Sequence, residues 1–429
     1  MDTKATSGTR ASIALLLSLI SAYTFIYLTK TCFSSAMVFI VEEGILTKFQ
    51  TGTINAVFYA VYAVAQMAIA PIVDKFKPER FITVGLAGAA IANFAIYLNQ
   101  NYVLILCVWV FNAIIQCAVW PAVFKISTMA VNPKMVGGAM FFINAAGTFG
   151  IILSLLVAAA VGSAWQLNFL VSAIGLLAFA IIWEISCIFF RPLLALAAPE
   201  PKKKENKKAE KVKEKKSMKL SAFMFSSGLI ILFVIAIMRC SLTTGIMALT
   251  PSLINESYAE VSARFSTIVS IAVNTAGFLG MLFASLVYPR FIQNEGLAIL
   301  ILVSLTFPFV CFLLLVGKIH YLFIVLFLAM IYFLLSATGL FAMSYIAGRF
   351  NKFNLGATVV GFLNGGSAFG MVAANLVYTA IADNFGWYAT MITWIVVTAL
   401  VVLMAAAIYI VWTRFLNKIK KGEIYAENN

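Results

Sequence analysis

Apolar residues run along this chain in long stretches interrupted by short clusters of charge, Gly and Pro. Runs of about 18 or more are what a helix needs to cross the hydrocarbon of a bilayer, whereas a membrane barrel shows alternating segments of about ten. The pattern predicts twelve helices, over 11–41, 49–73, 81–98, 102–131, 135–161 and 165–190, then 221–254, 262–288, 294–316, 319–348, 354–382 and 385–414. Several exceed the roughly twenty residues that span, which implies tilt or curvature.

The pattern also repeats. Asn144-Ala-Ala-Gly147-Thr-Phe149-Gly150 in the fifth stretch answers Asn364-Gly-Gly-Ser367-Ala-Phe369-Gly370 in the eleventh. Small residues at such spacing let helix backbones approach closely. The expected fold is therefore an all-α membrane protein with twelve transmembrane helices in two pseudo-symmetric six-helix bundles. Residues 1–190 form the first bundle, 191–220 a basic linker, and 221–429 the second bundle with a short tail.

Composition agrees: 63% of the residues are hydrophobic and 11% charged, far from a soluble enzyme. The net charge of +14 does not call for nucleic acid, because half of it lies in Lys202 to Lys219, ten Lys against three Glu. Alternate sides of the predicted bundle carry 24 and three basic residues, and the basic side holds both termini. The positive-inside rule then puts both termini in the cytoplasm of a multi-pass cell-membrane protein, the inner membrane if the source is bacterial. The first helix is too long for a cleaved leader and reads as a signal anchor. The six cysteines all fall in apolar stretches without metal-ligand spacing. No cofactor, metal or nucleophile constellation is expected, so the chain does not read as an enzyme.

Chemistry is expected where charge interrupts the apolar spans. Lys30 stands in the middle of the first helix, where a lysine costs roughly 2.5 to 3.5 kcal/mol and so usually faces a water-filled path or a partner. Tyr23, Tyr27 and Ser34 share its face. Arg239 lies at the middle of the seventh helix, the equivalent of the first, and Lys125 nearer the end of the fourth. No Asp or Glu lies as deep, and two midplane cations without a carboxylate favour a bound anion. Amides and phenols can complete such a site: Asn55, Tyr59, Tyr62 and Gln66 in the second helix, Asn112 and Gln116 in the fourth, Asn144 in the fifth, Asn274 in the eighth. For each, a hydrogen bond between helices is the alternative, and the cations have a structural alternative too, binding backbone carbonyls between helices. His320 falls in a loop and reads as solvated.

Twelve helices with a central basic loop look like the major facilitator superfamily. The segment Ala70-Pro-Ile-Val-Asp74-Lys75-Phe-Lys77-Pro-Glu-Arg80 resembles its Gly-x-x-x-Asp-Arg/Lys loop, with Ala70 for the usual Gly. The resemblance implies a gate tying helix ends together through Asp74, Lys75 and Arg80; Lys125, by its place near the end of its helix, reads as a gating or packing residue, with direct substrate contact the alternative. Tyr27-Leu-Thr-Lys30-Thr-Cys-Phe33-Ser34-Ser-Ala36-Met37, Trp120-Pro121, Gly137-Gly138, Thr250-Pro251-Ser252 with Glu256, and Phe385-Gly386-Trp387 are similar to segments of the organophosphate:phosphate antiporters. That family's phosphate carriers have arginines in helices 1 and 7 and a histidine in helix 5. Here the corresponding positions are Lys30, Thr243 and Gly147, with Arg239 one turn deeper than Thr243.

The expectation is a secondary transporter, acting as a monomer, that moves a small organic anion by alternating access, a phosphorylated metabolite in exchange for phosphate being one form. Lys30, Arg239, Tyr27, Tyr59, Tyr62, Asn144, Asn274 and Thr243 would bind the substrate. The alternatives are an ion-coupled carrier of a carboxylate or neutral solute, and a transporter-like sugar-phosphate sensor.

Overall fold

Each apolar stretch closes its own backbone hydrogen bonds as a helix, the only open-ended way to satisfy amide groups in hydrocarbon. The computed structural model describes residues 8–198, 224, 226–258, 260, 261, 263–287 and 294–421, so the basic linker lies outside the described residues from 199 to 220. The long helices are α1 Thr9–Glu42, α2 Lys48–Lys75, α3 Pro78–Tyr97, α4 Tyr102–Met129, α5 Val136–Val161 and α6 Gln166–Phe189. After the linker come α7 Leu229–Ser257, α8 Ala263–Val287, α9 Glu295–Phe312, α10 Tyr321–Phe353, α11 Gly356–Tyr378 and α12 Thr379–Lys420. Eleven of them are long and apolar enough to cross a membrane over their described residues; in α8 the apolar stretch is the shorter Thr275–Val287.

The ends follow local chemistry. Thr47 and Gln50 cap α2 reciprocally, each side chain accepting from the other's backbone N–H at 3.1 and 2.9 Å. Asn101 and Asn294 cap α4 and α9. Two details differ from the sequence expectation. First, α4 is broken at Cys117 and Ala118: Pro121 has no N–H for the Cys117 carbonyl, four residues back. Second, the expected turn between the last two spans sits at Gly386, whose φ of 78° and ψ of 178° suit only glycine.

The repeated motif has a direct packing meaning. A Cβ on Gly150 would run into the Thr24 carbonyl, with Leu28 N 2.9 Å away, so α5 crosses α1 backbone to backbone. A Cβ on Gly370 would run into the Ile237 carbonyl, with Ser241 N at 3.0 Å, so α11 crosses α7 in the same manner. Far from these crossings, Trp165 Nε1 donates to Glu43 at 3.1 Å and Trp387 Nε1 to Glu256 at 2.8 Å. The end of α1 is thus tied to the start of α6, and the end of α7 to the start of the twelfth span.

One end of the bundle gathers the start of α1, the ends of α2 and α4, the starts of α9 and α11, and the end of α12. Ser12 accepts from Asn132 N at 3.2 Å, Asp74 meets Thr358, and Glu295 accepts from Arg349 Nε at 2.7 Å and Trp412 Nε1 at 3.0 Å. Both described termini therefore lie at this end. Large apolar side chains cover the outer surface, Ile188 and Phe189 being 74% and 76% exposed, as a lipid-facing wall requires.

Candidate functional site

Lys30 is buried in the middle of α1, 7% exposed. Its ammonium lies 3.8 Å from the centre of the Tyr62 ring, 5.2 Å from that of Tyr27 and 5.6 Å from that of Tyr59. Helical spacing explains the arrangement: Tyr27 stands one turn before Lys30, and Tyr59 and Tyr62 share a face of α2. The ring faces carry partial negative charge and hold the cation in place of a carboxylate. Among the described residues no carboxylate pairs with Lys30. Gly147 makes room for this box, because a Cβ there would stand 3.2 Å from the Tyr27 ring. The position where the resembling carriers have a histidine is filled here by tyrosine from the neighbouring helix.

The box is connected to the other bundle. Gln66 Nε2 donates to the Tyr62 hydroxyl at 3.2 Å, and Asn364 Nδ2 of α11 donates to Gln66 Oε1 at 2.6 Å. From the second bundle the buried thiol of Cys240 on α7 comes within electrostatic range of Lys30, Tyr27 and Tyr59. Beside it the Thr244 hydroxyl lies 3.9 Å from Cys240 Sγ.

Arg239 is placed differently. It is 9% exposed, its Nη1 donates to the Leu335 carbonyl of α10 at 3.3 Å, and a Cβ on Gly339 would lie 2.9 Å from that nitrogen. The guanidinium therefore packs against α10, and its Nε is buried without a hydrogen-bond partner. Thr243 turns its hydroxyl onto its own helix, to the Arg239 and Cys240 carbonyls, each at 3.1 Å. The structure thus gathers Lys30, Tyr27, Tyr59 and Tyr62 at one point and leaves Arg239 and Thr243 outside that group.

Asn144 bonds the Met140 carbonyl at 2.7 Å and Ser344 of α10 at 3.3 Å, joining α5 to the opposite bundle. The Asn274 side chain lies outside the described residues. Gln116 Nε2 donates to Asn112 Oδ1 at 2.7 Å and to Thr29 Oγ1 at 3.2 Å, and Asn55 bonds Ser34 and Met37; these amides knit helices of the first bundle. His320 is exposed and caps α10 by accepting from Leu322 N at 3.3 Å.

At the end that holds the termini, Asp74 accepts from Ala357 N at 3.1 Å, and from Thr358 N and Thr358 Oγ1, both at 2.6 Å. The carboxylate caps the start of α11, where the helix dipole favours negative charge. Lys125, 4% exposed, donates to the Val73 and Asp74 carbonyls at 3.1 and 2.8 Å and fixes the end of α2 for this contact. Lys75 is exposed. Arg80 pairs with Glu184 at 3.2 Å, and Thr83 also reaches Glu184, all within the first bundle. Sequence reasoning missed the partners Cys240, Asn364 and Thr358. The only signal for Asn364 was its place in the repeated motif opposite Asn144.

Two six-helix bundles that meet around a buried cation, joined by Asp74 and Thr358 at the end bearing the termini, define a multi-pass membrane protein of transporter architecture. The family model of the Major Facilitator Superfamily matches residues 19–350, and the chain belongs to that superfamily. Family and fold therefore point to a transporter of a small molecule in a lipid bilayer. The membrane sensor protein UhpC of Salmonella typhimurium is 26% identical over 169 residues, 39% of this chain and 38% of that protein. A probable hexose phosphate transport protein of Chlamydia trachomatis is 26% identical over 111 residues, 26% of this chain and 24% of that protein. The chain thus spans less than two fifths of the length of these curated relatives. Among solved structures, the Escherichia coli fucose:proton symporter FucP aligns over 95% of this chain and 99% of its own, with a TM-score of 0.67 and 14% identity. That likeness shows the fold.

Proposed function

We propose that this protein is a secondary transporter that moves a small organic anion, phosphorylated or carboxylated, by alternating access between its two bundles, residues 1–190 and 221–429. The observation that carries this reading is the Lys30 ammonium, buried in the middle of α1 among Tyr27, Tyr59 and Tyr62, with no carboxylate beside it among the described residues. A buried charge without a counter-charge is costly, and a bound anion relieves the cost. Lys30 anchors the anion and the three tyrosines wall it in. Arg239 and Thr243 on α7, Asn144 on α5 and Asn274 on α8 belong to the spans around the anchor, and Arg239 is turned to the Leu335 carbonyl of α10. Asp74 and Lys125 hold the closed end, with Lys75 and Arg80 on the same loop. A monomer with both termini in the cytoplasm of a cell membrane fits the charge bias.

Exchange of one anion for another follows if the empty, positive cavity reorients poorly until an anion neutralises it. Counterflow in proteoliposomes tests the reading: anion uptake against a preloaded anion is expected in the wild type and lost in Lys30→Gln. Uptake that persists in Lys30→Gln overturns it. The likeness to a membrane sensor protein favours a second reading, in which the same site binds a sugar phosphate and reports it to a partner. Anion binding without flux in the same vesicles would select that reading.

A further inference from the structure

We infer that the species held at Lys30 carries one net negative charge: a carboxylate, or the singly charged form of a phosphate ester rather than its dianion. The inference rests on the anion site proposed above and goes on to its charge. Lys30 supplies one positive charge. The groups that face it are Tyr27 on its own helix, Tyr59 and Tyr62 on α2, and Cys240 on α7, none of which adds a cation. Two other deep cations among the described residues are turned elsewhere. Arg239 packs on Gly339 and the Leu335 carbonyl, and Lys125 holds the Val73 and Asp74 carbonyls.

The rings sharpen the selection. Their negative faces are turned toward the ammonium, so charge on the anion beyond one unit meets repulsion rather than a second donor fork. A double-arginine clamp is suited to a dianion, because each planar guanidinium offers paired donors to phosphate. A lone ammonium in an aromatic box matches one charge, and a dianion would leave an uncompensated charge in a site with little water.

The test uses the charge of the ligand. Purified full-length protein is screened by thermal shift and titration against phosphate monoesters of glycerol and hexoses, and against matched hydroxy acids, at pH 5.5 and 7.5. A phosphate monoester loses its second proton at pH about 6, so its monoanion fraction falls roughly 25-fold between those two pH values. The apparent Kd of every monoester that binds is expected to rise by about that factor. The hydroxy acids stay singly charged throughout, so their Kd reports any pH effect on the protein itself, and the monoester ratio is read relative to it. A monoester that binds equally well or better at pH 7.5, relative to the acids, overturns the inference. If no anion binds and Lys30→Gln behaves as the wild type, the anion site itself falls and this inference with it.

Discussion

Thr358 meets the Asp74 carboxylate twice, through its backbone N–H and its hydroxyl, both at 2.6 Å. The two residues are 284 positions apart, and the contact fastens α2 of one bundle to the first turn of α11 in the other. Removing a carboxylate that caps a helix costs about 0.5 to 2 kcal/mol. Asp74→Ala should therefore open this end by up to roughly 30-fold in the conformational equilibrium. The central thiol of Cys240 reports it: alkylation of Cys240 from the side of the termini, read by mass spectrometry, should speed up in the variant. An unchanged rate argues that this contact does not hold the end shut.

Gln66 lies deeper in the same seam, bridging the Tyr62 hydroxyl and Asn364. Gln66→Leu keeps the volume and removes both bonds, leaving the Asn364 amide unpaired at a cost of about 1 to 3 kcal/mol. The same alkylation assay should register faster labelling of Cys240. Because the bridge begins at the ring beneath Lys30, anion affinity in this variant should change too, whereas Asp74→Ala should leave the intrinsic site intact.

Gly150 and Gly370 have no space for a methyl group. Alanine at either position drives a Cβ into a carbonyl of the crossing helix, and overpacking of this kind costs about 1 to 3 kcal/mol. Thermal unfolding of the purified variants should show both losses. Gly138→Ala is the control, since nothing lies within 4 Å of its Cβ position; there, unfolding should be unchanged or slightly later.

Two ion pairs should differ sharply in weight. Arg80 and Glu184 have side chains 68% and 39% exposed, and such pairs contribute about 0 to 1 kcal/mol. Glu295 is fully buried and is also bonded by Trp412. Arg349→Ala strands part of that buried charge and should cost on the order of 3 kcal/mol, whereas Arg80→Ala should be near neutral in the same unfolding measurement.

The sequence by itself determined the helices, their number and the small residues at which two of them approach a neighbour closely. Helix formation in hydrocarbon is dictated locally, by apolar length and by backbone groups that can only bond within the segment. Asn144 to Gly150 and Asn364 to Gly370 could be matched for the same reason, since close approach is a property of small residues wherever they occur. Lys30 stood out because a midplane charge is conspicuous against an apolar background. The role of Arg239 was not legible: its depth matches that of Lys30, yet only the packing of α7 on α10 turns it toward Leu335 and Gly339. The partners of Asp74 and Gln66, Thr358 and Asn364, were equally out of reach. Which face of one helix meets which face of another is set by the sum of many weak contacts across the bundle, and no local pattern records it. Tertiary structure alone decided that Lys30 is boxed by Tyr27, Tyr59 and Tyr62 while Arg239 turns to a backbone carbonyl.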